Sequence, residues 1–260
     1  MKMKLIYSIL LAGATVLTAV AEDFSSCFVP GERAKYKVSW MKIPLAWSET
    51  SVDSVTEEGR KLIRIRMVSK SYKAYAHIYK VDNITEVILD PKTALPIRLD
   101  IQNDEDGRRK SQLTVFHHDK KFAIFRDRIS KDIKIVPIKS DTREILSFLY
   151  SARKQDFKQL AAKTHTLFVG DKLYTLDLKI RKEGKKIKLP DYGKVASTEI
   201  EPVAEFDGLF LRKGKIFFWV SEQDRRMVTC IKAKVSVGKI TVLLQKVLGP
   251  GDDSWIKKKK

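Results

Sequence analysis

Apolar and polar residues alternate strictly over residues 34–40. Ala34, Tyr36, Val38 and Trp40 fall on one side, Lys35, Lys37 and Ser39 on the other. A period of two predicts a half-buried antiparallel strand. Residues 62–67 repeat the pattern, with Ile63, Ile65 and Met67 opposite Arg64 and Arg66. Residues 75–81, 113–116, 122–126, 133–138 and 173–180 read the same way. Turn-forming pairs separate them: Glu58-Gly59, Asp82-Asn83, Asp90-Pro91, Asp106-Gly107, His118-Asp119, Gly170-Asp171 and Glu183-Gly184. Strands of this length, joined by tight turns, predict a meander that must curl or close to protect its edges.

One stretch changes period. Asp141-Thr142-Arg143-Glu144 has the form of a capping box, with Asp141 as cap and Glu144 three residues on. Behind it Ile145, Leu146, Phe148, Leu149 and Ala152 follow helical spacing, which predicts a helix over 141–153, and a second short helix is expected over 156–162. The predicted fold is mainly β: a large curved antiparallel sheet or open barrel with one principal helix packed on it. No solenoid repeat and no Ser/Pro-rich linker divides the chain, so residues 22–248 are expected to form a single β-rich domain, followed by a basic tail over 249–260.

The first residues do not belong to that pattern. Lys2 and Lys4 precede an uncharged apolar run over 5–20, and Ala19-Val20-Ala21 forms an A-x-A site before Glu22 and Asp23. This is the form of a cleaved export signal covering residues 1–21. The run is short for a bilayer span, which needs about 20 residues. The expectation is an exported, periplasmic protein that is not transmembrane after cleavage. The net charge of +19 falls to +17 once Lys2 and Lys4 are gone. So basic an exported chain has anionic envelope surfaces as its natural counterpart, either lipid headgroups, lipopolysaccharide or cell-wall polymers. Nucleic acid is not expected as a partner, because no recognition motif accompanies the charge.

Few residues carry recognisable chemistry. Cys27 and Cys230 are the two cysteines, and an oxidising compartment makes a bond between them one reading, two separate buried thiols the other. His117 and His118 would face opposite sides of a strand, and no metal-ligand spacing is present, so no metal or cofactor is expected. There is no nucleophile elbow and no phosphate-binding glycine loop, which leaves no catalytic residue to name. Asp104-Glu105-Asp106 reads as a solvated hairpin tip beside Gly107. The tail ends in Trp255, Ile256 and four lysines, which suits either an anionic membrane surface or a solubilising end.

Late in the chain, residues 217–221 read as an apolar strand and 227–231 as another, with Asp224-Arg225-Arg226 as a charged turn between them. That cluster has two readings: anion recognition by guanidinium groups, or an ion pair that fixes a turn or ties sheet to helix.

Segments spread along the chain then resemble an exported bacterial family known as domain-of-unknown-function family 3108. Pro30-Gly31-Glu32-Arg33-Ala34-Lys35-Tyr36 is similar to its opening strand, and Ile43-Pro44-Leu45-Ala46 to the short loop after it. Residues 141–153, with Leu146-Ser147-Phe148-Leu149-Tyr150 and Arg153, resemble its helix. Trp219-Val220-Ser221 with Asp224-Arg225-Arg226-Met227-Val228 resembles its late strand pair, and residues 238–244 its closing strand. The chain departs from the pattern at Ala46, where a glycine is expected, and in its lysine content. The resemblance implies an envelope protein of a double-membraned bacterium with a curved antiparallel sheet, and no established reaction. By analogy of fold, such a sheet is similar to the open barrels of lipoprotein carriers, which hold acyl chains between sheet and helix.

Two functions follow as expectations. In the first, a non-catalytic envelope protein binds an apolar or acylated, lipid-like ligand against Tyr36, Trp40, Phe148 and Trp219, with Asp224, Arg225 and Arg226 at the mouth. In the second, a solid-core structural or interaction protein acts through its basic surface on anionic cell-wall or lipopolysaccharide polymers.

Overall fold

The computed structural model describes residues 23–204, 216–223 and 225–250. The export segment, Asp224 and residues 251–260 of the tail lie outside the described residues. The first half of the chain runs as a meander: β1 (Arg33–Trp40), β2 (Ile43–Glu57), β3 (Arg60–Ser71), β4 (Val81–Leu89), β5 (Pro96–Glu105), β6 (Arg108–His117), β7 (Phe122–Asp127) and β8 (Ile133–Pro137). Two short helices follow, α1 (Ile145–Ser151) and α2 (Phe157–Ala161). A second meander completes the chain: β9 (His165–Val169), β10 (Lys172–Leu189), β11 (Gly193–Ala204), β12 (Ile216–Ser221), β13 (Val228–Lys234) and β14 (Lys239–Leu248).

All fourteen strands belong to one antiparallel sheet, in the order β8-β7-β6-β5-β4-β3-β2-β1-β14-β13-β12-β11-β10-β9. Every neighbouring pair is consecutive in sequence except β1 with β14, at the centre. The helices carry the chain from one edge of the sheet to the other. The two edges also approach each other: Lys134 on β8 pairs with Asp171 in the β9–β10 turn. Inside, the Phe116 ring of β6 meets Phe168 of β9 edge-on at 5.2 Å. The sheet is thus curled into an open barrel, as the alternation predicts, with α1 at the seam.

The inner faces of β2–β7 and β9 close on a core that includes Val52, Ile65, Val87, Leu89, Phe116 and Phe168. Phe24, Cys27 and Phe28, just before β1, and Leu146 and Tyr150 of α1 fill its end. Phe28 stacks on Tyr150 at 6.1 Å. A second cluster under the other half of the sheet gathers Ala34, Leu189, Val195, Met227, Leu244 and Val247, with Tyr36 against it.

The elements differ from the sequence expectation where a ladder overrides a local signal. The helix starts at Ile145, with Glu144 itself as cap, not at Asp141. The cause lies in β9: Arg143 forms a parallel bridge with Leu167, donating to the Thr166 carbonyl and accepting from the Phe168 amide, which holds residues 141–143 out of the helix. The capping box is present, but shifted: the Glu144 carboxylate accepts from the Leu146 and Ser147 amides, and the Ser147 hydroxyl accepts from the Glu144 amide. The second helix is where the spacing puts it, capped by Asp156. Residues 43–46, expected as a loop, open β2, and Asp82-Asn83, expected as a turn, lie inside β4 because both flanking strands pair there. Glu183-Gly184 is an irregularity within the long β10, where the register with β11 shifts, and not a turn between strands. Residues 75–81 are mostly not strand: Lys73–Tyr75 is a 3-10 turn, the Tyr75 carbonyl accepts from the Ile78 and Tyr79 amides, and pairing begins at Val81. Strict alternation in β1 also fails. Its register shifts after Lys35 against β14 and after Val38 against β2, so Ser39 is buried while Val38 and Trp40 are half-buried.

Cys27 and Cys230 are not joined by a disulfide. Cys27 packs below α1, its Sγ 4.0 Å from the Ser151 carbonyl. Cys230 lies on β13 between Trp219 of β12 and Leu243 of β14, where burial pushes its thiol up to about 11. Of the two readings the sequence left open, two separate buried thiols is the one this arrangement shows.

Candidate functional site

Glu32, the residue before β1, is wholly buried. Gly31 donates its amide to the Val52 carbonyl and the Val52 amide returns to the Glu32 carbonyl, so β2 fixes the backbone on which Glu32 sits. A buried carboxylate needs charged partners, and two guanidinium groups from distant parts of the chain supply them. Arg153, just past the end of α1, places Nη1 2.9 and 3.2 Å from the two Glu32 oxygens. Arg225, in the β12–β13 turn, places Nη1 3.4 Å away and gives Nη2 to the Pro250 carbonyl. The Arg153 guanidinium also lies 3.9 Å above the Tyr150 ring.

The electrostatics follow from this burial. Desolvation alone would lower the Arg153 pKa, but Glu32 and the neighbouring Tyr150 outweigh it and hold the group above its ordinary value. Tyr36 and Tyr150 are both pushed up, first by burial; beside Tyr36 the neighbouring Tyr150 acts the same way, and beside Tyr150 the Glu32 charge does. Both phenols therefore stay neutral beside the Glu32–Arg153 ion pair.

Above it opens a cleft of about 500 Å³, lined by Cys27, Val29, Arg153, Gln223, Arg225 and Arg226 among others. Arg226 stands in the left-handed region (φ 44°), which turns its side chain over the Phe157 ring of α2 at 4.6 Å. Its Nη1 and the Oε1 of Gln223 are buried without a hydrogen-bond partner among the described residues. Lys154 adds a further positive charge to the lining and Glu222 a negative one. An open cleft with surplus guanidinium donors suits an anion.

The other expected site residues are dispersed. Tyr36 packs in the second core cluster. Trp40 gives its indole N–H to the Val237 carbonyl at 2.8 Å, tying the end of β1 to the β13–β14 turn. Phe148 packs with Leu167 and Leu176, tilted against His165. Trp219 is buried, donates to Glu199 and lies between Lys185 and Lys232, each with Nζ 4.9 Å from its ring. The four aromatics do not line a common chamber. Only Arg225 and Arg226, of the expected residues, meet at the cleft; Asp224 lies outside the described residues. Sequence reasoning did not single out Glu32 and Arg153 as site residues. The signal available was a charged residue opening a strand and another closing a helix, and only the fold shows that they meet.

Elsewhere, Asp104 at the hairpin tip binds Lys80 and the Gly107 amide, each of which lowers its pKa. His118 bonds the Pro96 carbonyl, and burial lowers its pKa. Among the described residues, no group of three or more His, Cys, Asp and Glu side chains is placed to hold a metal ion, and no helix is long and apolar enough to cross a membrane.

Residues 35–245 match the model of a family described as "Protein of unknown function (DUF3108)". Among solved structures the chain is similar to the "Beta-barrel-like Protein of Domain of Unknown Function DUF1849 from Brucella abortus", at 11% identity and a TM-score of 0.57. That likeness covers 86% of this chain and 99% of the other, and shows the barrel-like fold alone. No curated protein matches the sequence.

Proposed function

We propose, for a chain that belongs to the DUF3108 family, that it is a non-catalytic protein of the cell envelope whose arginine cleft holds the anionic head of an envelope molecule, an acylated one first among them. The observation that carries this reading is the buried Nη1 of Arg226, unpartnered among the described residues, on the wall of a cleft that Arg153, Lys154 and Arg225 also line. Leaving a buried donor without an acceptor costs about 1–3 kcal/mol, and a phosphate or carboxylate oxygen would supply the acceptor. Arg153 and Arg225 are already turned toward Glu32, so Arg226 is the group with capacity to spare. The export segment and the basic composition support the envelope as the place of work.

The interior beneath the sheet is packed with Phe28, Phe116, Tyr150 and Phe168, so the tail of such a ligand is assigned to the open side of the cleft rather than to the barrel. Calorimetric titration with inorganic phosphate and with a single-chain phospholipid tests the proposal. Arg226→Ala should weaken either ligand about tenfold or more, in line with a charge-assisted hydrogen bond of about 1.5–3 kcal/mol. Equal binding by wild type and variant would refute it.

A second reading has its own observation. Lys185 of β10 and Lys232 of β13 each lie over the buried Trp219 ring of β12, and β10 also carries Lys182, Lys186 and Lys188. That arrangement suits a polyanion lying across the surface, and retention on lipopolysaccharide that survives Arg226→Ala but fails on Lys185→Ala with Lys232→Ala would favour it.

A further inference from the structure

The outer face of the sheet at its β8 edge is apolar. On β6 and β7, Thr114, Phe116, Ala123 and Phe125 alternate inward and are buried. Their neighbours face outward, Leu113 and Val115 on β6, Phe122 and Ile124 on β7. The register sets Val115 beside Ile124 and Ile124 beside Ile135 of β8. Ile133 and Ile135 are 61% and 70% exposed, and Ile129, in the turn between β7 and β8, is 54% exposed. A half-buried strand normally presents polar residues to water; here three adjacent strands present aliphatic ones.

The rim is net basic. Residues 120–139 carry seven Lys and Arg against two Asp. Arg126 and Lys131 are exposed and form no ion pair among the described residues. Lys134 points inward to Asp171 at the open edge of β8, a charge that blocks pairing with another strand.

We propose that this face docks on an anionic lipid bilayer, with Ile129, Ile133 and Ile135 entering the headgroup region and the basic rim meeting lipid phosphates. A second copy of the chain fits less well, because apposing two such faces brings two basic rims together in a protein of net charge +19. A bilayer supplies apolar depth and negative charge at once and requires no complementary shape. The inference is independent of the arginine cleft, which lies on the β12–β13 turn and the end of α1.

Co-sedimentation of the whole protein with phosphatidylglycerol and phosphatidylcholine vesicles tests it. Wild type should partition onto the anionic vesicles and not the zwitterionic ones, and added salt should release it. Ile133→Ser with Ile135→Ser, and separately Arg126→Gln with Lys131→Gln, should each lower partitioning about tenfold. All four side chains are exposed, so an unchanged Tm confirms an intact fold. Unchanged partitioning in the isoleucine pair would overturn the proposal. So would a light-scattering dimer that the same pair dissolves, which assigns the face to a second copy, or capture only by an acidic protein, which assigns it there.

Discussion

Among the described residues, the ion pairs of Glu32 are with Arg153 and Arg225. Replacing it by glutamine leaves the Arg153 and Arg225 guanidinium groups buried without their counter-charge, and breaking such a pair costs about 3–5 kcal/mol. Thermal unfolding of Glu32→Gln should show that loss, and a variant within about 1 kcal/mol of wild type would mean that the cluster rearranges freely. Glu144 makes the opposite case. It caps α1, yet burial raises its pKa from 4.5 to about 6, against the two backbone amides that pull it down. The folded state therefore binds this proton more tightly than the unfolded chain. The resulting stabilisation is full below pH 4.5 and is lost as pH rises toward 6, by about 2 kcal/mol in all. Glu144→Gln should remove that slope: the difference in unfolding free energy between the two proteins should change across pH 4–7 and flatten on either side.

At the scale of elements, β1 and β14 are locked at their ends by two glycines. Gly249 has φ 101°, and a Cβ there would lie 2.0 Å from the Gly31 carbonyl oxygen. Gly249→Ala should cost about 2–4 kcal/mol, whereas Gly107→Ala, in an open hairpin with nothing within 4 Å, should cost about 1; chemical denaturation of both measures the contrast. The strands with clean alternation, β3, β6 and β7, are legible because each has one face in the core, whereas the alternating isoleucines of β8 face outward. β2, β4, β5, β9 and β11 lie outside the stretches whose alternation predicts a strand. In β4 and β5 strongly turn-forming pairs such as Asp82-Asn83 lie within a ladder that satisfies their backbone from both sides. The start of α1 was misread for the same kind of reason, since the bridge to Leu167 decides it and lies over twenty residues away. Of the site, the sequence marked Arg225 and Arg226 but dispersed its other candidates, because a cleft is defined by which chain segments converge, and residues 32, 153 and 225 carry no local sign of meeting.

On the scale of the whole molecule, each half of the sheet is a meander of near neighbours, and the halves are joined by the β1–β14 ladder, the Glu32–Arg225 pair and the edges that approach at α1. A chain ending after residue 238, lacking β14, should keep hairpin structure in both halves but lose cooperative unfolding, measured by near-ultraviolet circular dichroism against temperature. If it melts in a single sharp transition like the whole protein, the central ladder is not what unites the halves. The order of the strands also sets a schedule. A protein made or threaded amino-end first brings β1 out early and its central partner almost last, some 200 residues later. Until then Ala34 and Tyr36 have one flank unpaired, and Glu32 waits for Arg153 and then Arg225. The two meanders can each pair their own strands as they are made, but they are joined through β1 only when the final strand has arrived, so the last tenth of the chain decides when two sheets become one.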